Sequence, residues 1–195
     1  MKIGIFGGSF NPPHNMHENI ALELLDKNYL DKVIFVPTGT KYEYKNNLIP
    51  NEERYEMLKI LTENNPNLSV SSFEFQEKVV YTYETLAHFK KEYPKDEIYF
   101  ICGTDNLSYL DKWKNGLDIL TKYPIIDVKR ETDNLESILT KYQKFKPKIT
   151  VANIPPQTIS STEIRELIKK GNLKLLKEHL NKKVIDYILR EKLYQ

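Results

Sequence analysis

Short apolar runs alternate with helically spaced apolar residues along most of this chain. Lys2 to Phe6 is one such run, and it stops at Gly7 and Gly8 as a buried strand does on entering a tight loop. Ile20, Ala21, Leu24 and Leu25 then recur at helical spacing up to Asn28, and Lys32 to Val36 forms a second run closed by Pro37. The three segments make a βαβ unit. After a polar loop from Thr38 to Asn47, Asn51 is placed to cap a helix with Glu52 and Glu53 in its first turn and Tyr55, Met57, Leu58 and Leu61 behind them. Leu68 to Phe73 alternates as a strand does, Thr82 to Glu92 is spaced as a helix, and Glu97 to Cys102 is a third β-rich run ending at Gly103. Pro124 to Val128 and Lys148 to Ala152 read as further strands, with a helix over Asn134 to Tyr142 between them and a turn around Pro155 and Pro156 after them. The tail is helical throughout: Ser161 to Lys170, Leu173 to Leu180 and Lys183 to Leu193, punctuated by Gly171 and Asn181.

Strands alternating with helices predict an α/β fold with a mostly parallel sheet covered on both faces. In such folds ligands bind beyond the carboxyl ends of the strands, so the loops after Phe6, Val36, Cys102 and Ala152 are the places to look. A length of 195 residues suits a single domain over 1–195, with 157–195 as a helical subregion. With 29 Lys and Arg against 27 Asp and Glu, the formal charge of +2 provides no global field for a nucleic-acid or membrane partner, so any basic site is local. One cysteine, Cys102, builds neither a disulfide framework nor a thiolate metal cluster, and the chain shows neither a secretory leader nor a spanning apolar run. It reads as cytoplasmic, with its oligomeric state left open.

The loop GGSFNPPHNMHENI, Gly7 to Ile20, carries the clearest chemistry. It fits neither a dinucleotide fingerprint nor a Walker A loop. Gly7 and Gly8 let a ligand approach the backbone, while Pro12 and Pro13 stiffen the turn. Asn15 followed by Glu18 resembles a capping box, which starts a helix near Met16 and puts His14 just before its first turn and His17 inside it. Two imidazoles at a helix amino terminus, beside free amides and the positive end of the macrodipole, suit a phosphate. Zinc is the weaker rival, since His88 and His179 lie far away in sequence. ISSTEIR, Ile159 to Arg165, offers a second terminus of the same kind: Ser160 and Glu163 fit a capping box, Ser161 and Thr162 fall in the first turn, and Arg165 lies one turn on. Hydroxyls, amides and a guanidinium fork there match the oxygens of a polyphosphate.

Together these segments resemble the nucleotidyltransferase superfamily with GGSFDPxHxGH and ISSTxIR signatures, and within it the bacterial nicotinate-nucleotide adenylyltransferases. RYEML at Arg54, YTYETL at Tyr81, GTDNL at Gly103 with Trp113 after it, and VIDYI…LY from Val184 to Tyr194 fit the same family. The resemblance implies a Rossmann-like three-layer fold with a small helical carboxyl-terminal part. It also implies transfer of AMP from ATP to nicotinate mononucleotide, giving deamido-NAD and pyrophosphate by direct attack of the acceptor phosphate on the α-phosphorus. On this likeness His14, His17 and Arg165 are catalytic, and ATP contacts Gly7, Gly8, Ser9, Phe10, Gly103, Asp105, Ile159, Ser160, Ser161 and Thr162. Thr82, Tyr83, Thr85, Trp113 and Lys45 receive the acceptor, and Mg²⁺ is bound mainly through substrate phosphates rather than protein carboxylates. Residue by residue, Thr82 also reads as a helix cap, Asp105 as the cap of a following helix, and Tyr83 and Trp113 as core aromatics. Met16 stands where the family has Gly, so its thioether is expected to take volume the adenosine needs; the loops at Thr38 to Asn47 and Val128 to Thr132 lack the family's usual PPHK and RPG. The alternatives are a catalytically weakened nucleotide-binding paralogue and an adenylyltransferase for another acceptor such as phosphopantetheine.

Overall fold

A computed structural model describes residues 1–41, 47–128, 135–155 and 159–195. Six strands form one sheet in the order β3-β2-β1-β4-β5-β6, and every neighbouring pair runs parallel. The strands are β1 Lys2–Gly8, β2 Lys32–Pro37, β3 Leu68–Val70, β4 Glu97–Gly103, β5 Ile125–Val128 and β6 Ile149–Ala152. Helices α1 Asn15–Asp26 and α2 Asn51–Thr62 carry the chain outward from β1 to β3. Helix α3 Thr82–Glu92 then returns it to β4, on the other side of β1. The order of travel therefore reverses between β1 and β4, and at such a reversal the connections leave opposite faces and open a crevice at the carboxyl ends of the strands.

The period of two along the strands sorts the core into two layers. Ile3 and Ile5 of β1, Ile34 and Val36 of β2, and Ile98, Phe100 and Cys102 of β4 face α3 on one side. Phe6, Val33, Phe35 and Ile101 face α1 and α2 on the other, with Ile20, Ala21, Leu24, Leu58 and Leu61 against them. Register puts Phe6 beside Phe35 and Ile101, so the last buried rung of the sheet lies directly beneath the Gly7–Gly8 exit. A third core joins Met57 of α2 to Ile164, Ile168, Leu176, Val184 and Ile188 of the terminal helices α7 Ser161–Lys169, α8 Leu173–His179 and α9 Lys182–Arg190. Helix α7 is thereby carried to the same end of the sheet as α1.

Most predicted elements appear with ends moved by one to three residues, and the departures have local causes. The strand expected over Leu68 to Phe73 stops at Val70, because the Ser71 hydroxyl accepts from the Phe73 amide and turns the chain. Asn51 does not cap α2: Pro50 holds the cap position, and the Asn51 Oδ1 instead accepts from the Thr40 amide at 3.0 Å and from Arg54 at 2.7 Å. Helix α5 Gly116–Lys122 has no counterpart in the sequence reading, and α4 Thr104–Ser108 begins one residue before the Asp105 expected to cap it, with α6 Leu135–Tyr142 following β5. Both are short, and Gly116 is a poor helix former kept because a Cβ there would stand 1.7 Å from the Leu110 carbonyl oxygen. Among the described residues no helix is long and apolar enough to cross a membrane.

Candidate active site

Helix α1 begins at Asn15 with His14 as its cap, one residue earlier than the Asn15 and Glu18 pattern predicts. His14 and His17 form the capping box instead: the His17 Nδ1 accepts from the His14 backbone amide at 3.2 Å, as a carboxylate at that position would. An accepting Nδ1 leaves the ring proton of His17 on Nε2, so the imidazole is fixed as a donor on its outer side. Three rings hold it there. His14 lies under it with centroids 3.8 Å apart, Phe10 meets it edge-on at 4.9 Å, and Phe6 stands behind at 6.1 Å. Phe10 adopts a left-handed φ of 46°, which costs a non-glycine residue about 1–2 kcal/mol and is offset here by a ring that is buried against Phe6 and Phe35.

The second terminus is docked onto this loop. Ser160 caps α7 with Glu163 as expected, its Oγ accepting from the Glu163 amide while its own amide donates to Glu163 Oε2 at 2.8 Å. Ser161 donates its hydroxyl proton to the Pro12 carbonyl at 2.9 Å. Arg165 donates from Nη1 to the Asn11 carbonyl at 2.7 Å and from Nη2 to the Thr162 hydroxyl at 3.0 Å. Two of its five N–H groups are spent this way and the others remain for a ligand. Asn11, 3% exposed, ties further strands of the network together: its Nδ2 donates to the Asn47 carbonyl, and its Oδ1 accepts from the Tyr194 hydroxyl at 2.9 Å.

Between the two termini lies a cleft of about 420 Å³. Gly7, Gly8, Ser9, Phe10, His17, Gly103, Asp105, Ser161, Thr162 and Arg165 all line it, so ten of the predicted residues, from both ends of the chain, converge on one space. A Cβ on Gly7 would meet nothing within 4 Å, so a side chain there would reach into the opening itself. Gly7, Gly8, Cys102 and Asn106 also border a smaller chamber of about 130 Å³, walled by Thr82, Thr85, Trp113, Glu74 and apolar side chains of β1 and β4. That volume is close to the roughly 150 Å³ cavity that holds a benzene ring, enough for one six-membered heterocycle.

Other predicted residues lie elsewhere. His14 is 2% exposed and supports His17 without lining the cleft. Ile159 packs into the third core and Ser160 is committed to its cap. Tyr83 packs against the core that contains Phe89 and Leu86, 6.4 Å from Tyr81, and does not line the chamber. Lys45 lies outside the described residues. Thr82 sits in the first turn of α3 behind the cap Tyr81, and Asp105 in the first turn of α4 behind Gly103, so neither is a cap. Met16 lines a separate groove with Ile20, Ile154 and Pro155 instead of the cleft, so its thioether takes none of the cleft's volume. Among the described residues no group of three or more His, Cys, Asp or Glu is placed to hold a metal; His88, far from the cleft, stacks on Phe73 and pairs with Glu92. Burial near Asp127 pushes the Cys102 thiol well up, so it is a packing group and no nucleophile.

Reading the sequence missed Arg54 and Glu74. Arg54 is fully buried under the glycine loop, donating to the carbonyls of Ile49 at 3.1 Å and Ser9 at 2.9 Å as well as to Asn51; burial lowers its guanidinium to about 10, still protonated at neutral pH. Glu74 accepts the Thr85 hydroxyl at 2.7 Å, and burial raises its carboxyl to about 7 despite that bond and the nearby Arg54 charge. A raised carboxyl pKa means that the folded chain binds more protons than the unfolded one between about 4.5 and 7, so stability falls as pH rises through that window. We expect the unfolding free energy of wild type relative to Glu74→Gln to drop on the order of 3 kcal/mol between about pH 4 and pH 8, as read from urea titrations.

The cytidylyltransferase-like family model matches residues 5–167, from within β1 to two residues past ISSTEIR. The chain belongs to that family. Within it the chain is 37% identical over 200 residues to a probable nicotinate-nucleotide adenylyltransferase of Clostridium tetani, covering 100% of this chain and 99% of that one. A probable nicotinate-nucleotide adenylyltransferase of Carboxydothermus hydrogenoformans is 38% identical over 200 residues, covering 100% and 98%. Among solved structures, the nicotinic acid mononucleotide adenylyltransferase of Plasmodium falciparum complexed with NaAD superposes with a TM-score of 0.85 at 26% identity, covering 99% of this chain and 97% of that one. The family's nucleotidyltransferase chemistry and Rossmann-like sheet agree with the crevice found at the β1–β4 reversal.

Proposed function

We propose that the protein transfers AMP from ATP to nicotinate mononucleotide, forming deamido-NAD and pyrophosphate in NAD biosynthesis. One observation carries this reading: the starts of α1 and α7 are locked together around a single cleft, and that cleft opens past Gly7 and Gly8 into a ring-sized chamber. The names of the full-length relatives support the same reaction.

In this reading the acceptor phosphate attacks the α-phosphorus of ATP in line. A phosphate-oxygen-to-phosphorus bond forms, the bond to the bridging oxygen of the β-phosphate breaks, and pyrophosphate leaves with its electrons. The chain supplies no nucleophile; its task is alignment, which is able to contribute about 7–11 kcal/mol, and stabilisation of the charge that moves onto the leaving group. His17 donates from Nε2 to the α-phosphate. Arg165, Thr162 and the first-turn amides of α7 receive the β- and γ-phosphates. Among the described residues that line the cleft Asp105 is the single carboxylate, too little to cage a hard cation, so Mg²⁺ would enter with the triphosphate beside Asp105 and would supply neutralisation of its charge. Thr82, Thr85 and Trp113 enclose the pyridine ring. The enzyme works in the cytoplasm, with ATP and the mononucleotide as its partners.

With ATP, Mg²⁺ and nicotinate mononucleotide, pyrophosphate and deamido-NAD are expected in equal amounts. Absence of pyrophosphate with either pyridine mononucleotide rejects the assignment, and release with phosphopantetheine instead moves it to that acceptor.

A further inference from the structure

Beyond α9 the chain makes a fold-back that the reaction as derived does not use. The helix stops at Arg190, and the Leu193 amide then donates to the Ile188 carbonyl at 3.0 Å. Lys192 and Tyr194 take left-handed backbone, with φ of 52° and 63°, a strained conformation for residues that carry a Cβ. Two contacts hold the bend in place. Leu193 and Tyr194 pack on the third core, and the Tyr194 hydroxyl donates to Asn11 Oδ1 at 2.9 Å. Burial pushes the phenol well up, against the pull of the Arg54 and Arg165 charges, so it keeps its proton and remains a donor.

Asn11 is where this fold-back meets the cleft wall. Its side chain is fixed at both ends: Nδ2 donates to the Asn47 carbonyl at 3.0 Å, and Oδ1 accepts from Tyr194, with the Ile49 amide farther off at 3.4 Å. Its backbone carbonyl accepts from Arg165 Nη1 at 2.7 Å. An amide anchored through both its oxygen and its nitrogen cannot rotate freely, which fixes the direction of the carbonyl on which the guanidinium rests. Arg165 also gives Nη2 to Thr162, so a shift of the Asn11 carbonyl re-aims the N–H groups left over for phosphate oxygens. Packing on the third core asks only for a ring; the hydroxyl is what reaches the site.

We propose that Tyr194 is a positioning residue for the leaving group: its hydroxyl, acting through Asn11, orients Arg165 and so sets how tightly the β- and γ-phosphates are held. This rests on the functional reading above and deepens it. His17, which serves the α-phosphate, is fixed by other partners, the rings of Phe10, Phe6 and His14. Loss of the Tyr194 hydroxyl therefore separates two ligands that share an α-phosphate and differ in the rest: ATP feels it and AMP does not.

Dissociation constants of ATP and AMP, measured by calorimetry on the whole protein with Mg²⁺, test this. Tyr194→Phe keeps the ring in the third core and removes one hydrogen bond, so Tm is expected to fall by no more than about 4 °C. ATP is expected to bind about tenfold more weakly to that variant, as for the loss of one charge-assisted bond, and AMP within about twofold of wild type. In an Arg165→Ala background the same substitution is expected to change ATP binding by less than about twofold, because the group it orients is gone. Unchanged ATP affinity in Tyr194→Phe overturns the proposal, as does an equal loss for ATP and AMP or an equal loss in both backgrounds. Each of these leaves the function standing so long as the wild type forms pyrophosphate from ATP and nicotinate mononucleotide. A wild type that binds no ATP overturns both.

Discussion

Replacing His17 with alanine is expected to lower kcat for pyrophosphate release by about 10²- to 10³-fold, the cost of removing one preorganised donor from developing charge. Stability is expected to change far less. The imidazole also closes the cap of α1 by accepting from the His14 amide, a contribution of about 1 kcal/mol, or about 2–4 °C in Tm for a chain of this size. The two duties use opposite nitrogens of one ring and are separable. In His17→Asn the side-chain oxygen can accept from the His14 amide in place of Nδ1, with nothing to replace Nε2, so that variant should recover the melting temperature and not the turnover. Unchanged kcat in both variants would remove His17 from the reaction and leave it a helix cap.

The largest stability effect is expected at Arg54. Its guanidinium is fully buried and satisfies the carbonyls of Ser9 and Ile49 and the side chain of Asn51. Methionine there fills much of the volume and strands both carbonyls without a donor, at about 1–3 kcal/mol each. A loss of about 3 kcal/mol, or about 6–12 °C in Tm by calorimetry, is the expected result. Because Ser9 belongs to the cleft wall, ATP affinity should fall as well, even below the melting temperature. A Met variant that melts with the wild type would show that water replaces the guanidinium, and that the glycine loop keeps its shape without it.

The order of strands and helices was legible because each kind of element carries its own signal: short unbroken apolar runs along β1, β2 and β4, buried on both faces, and a period of 3.6 along α1 and α3. The limits Thr82 to Glu92 came through unchanged, since Tyr81 and Glu84 cap one end and aromatic Tyr93 ends the other. The short helices α4 and α5 hold too few turns to show a period, and they exist through contacts with β4 and the 3-10 turn at Leu110–Lys112. At the site, the two helix starts were legible because glycine, histidine and capping residues are local signals. What bound them together was not. Arg54 follows Glu52 and Glu53 and reads as part of a solvated charged face, and only tertiary packing turns it inward. Glu74 looks like any strand-end glutamate until Thr85, eleven residues later, is brought against it. The cap of α1 lies one residue before the expected position because an imidazole, His17, takes the accepting place usually held by a carboxylate or amide.

The bond from the Tyr194 hydroxyl to Asn11 joins residues 183 positions apart. A ribosome adding about 5–20 residues per second needs roughly ten to forty seconds to travel that distance. Throughout that interval the turn at Asn11 is without one of its fastenings, and α7 donates to Pro12 and Asn11 from 149 and 154 positions downstream. The final shape of this loop is therefore set only after segments far downstream have been made.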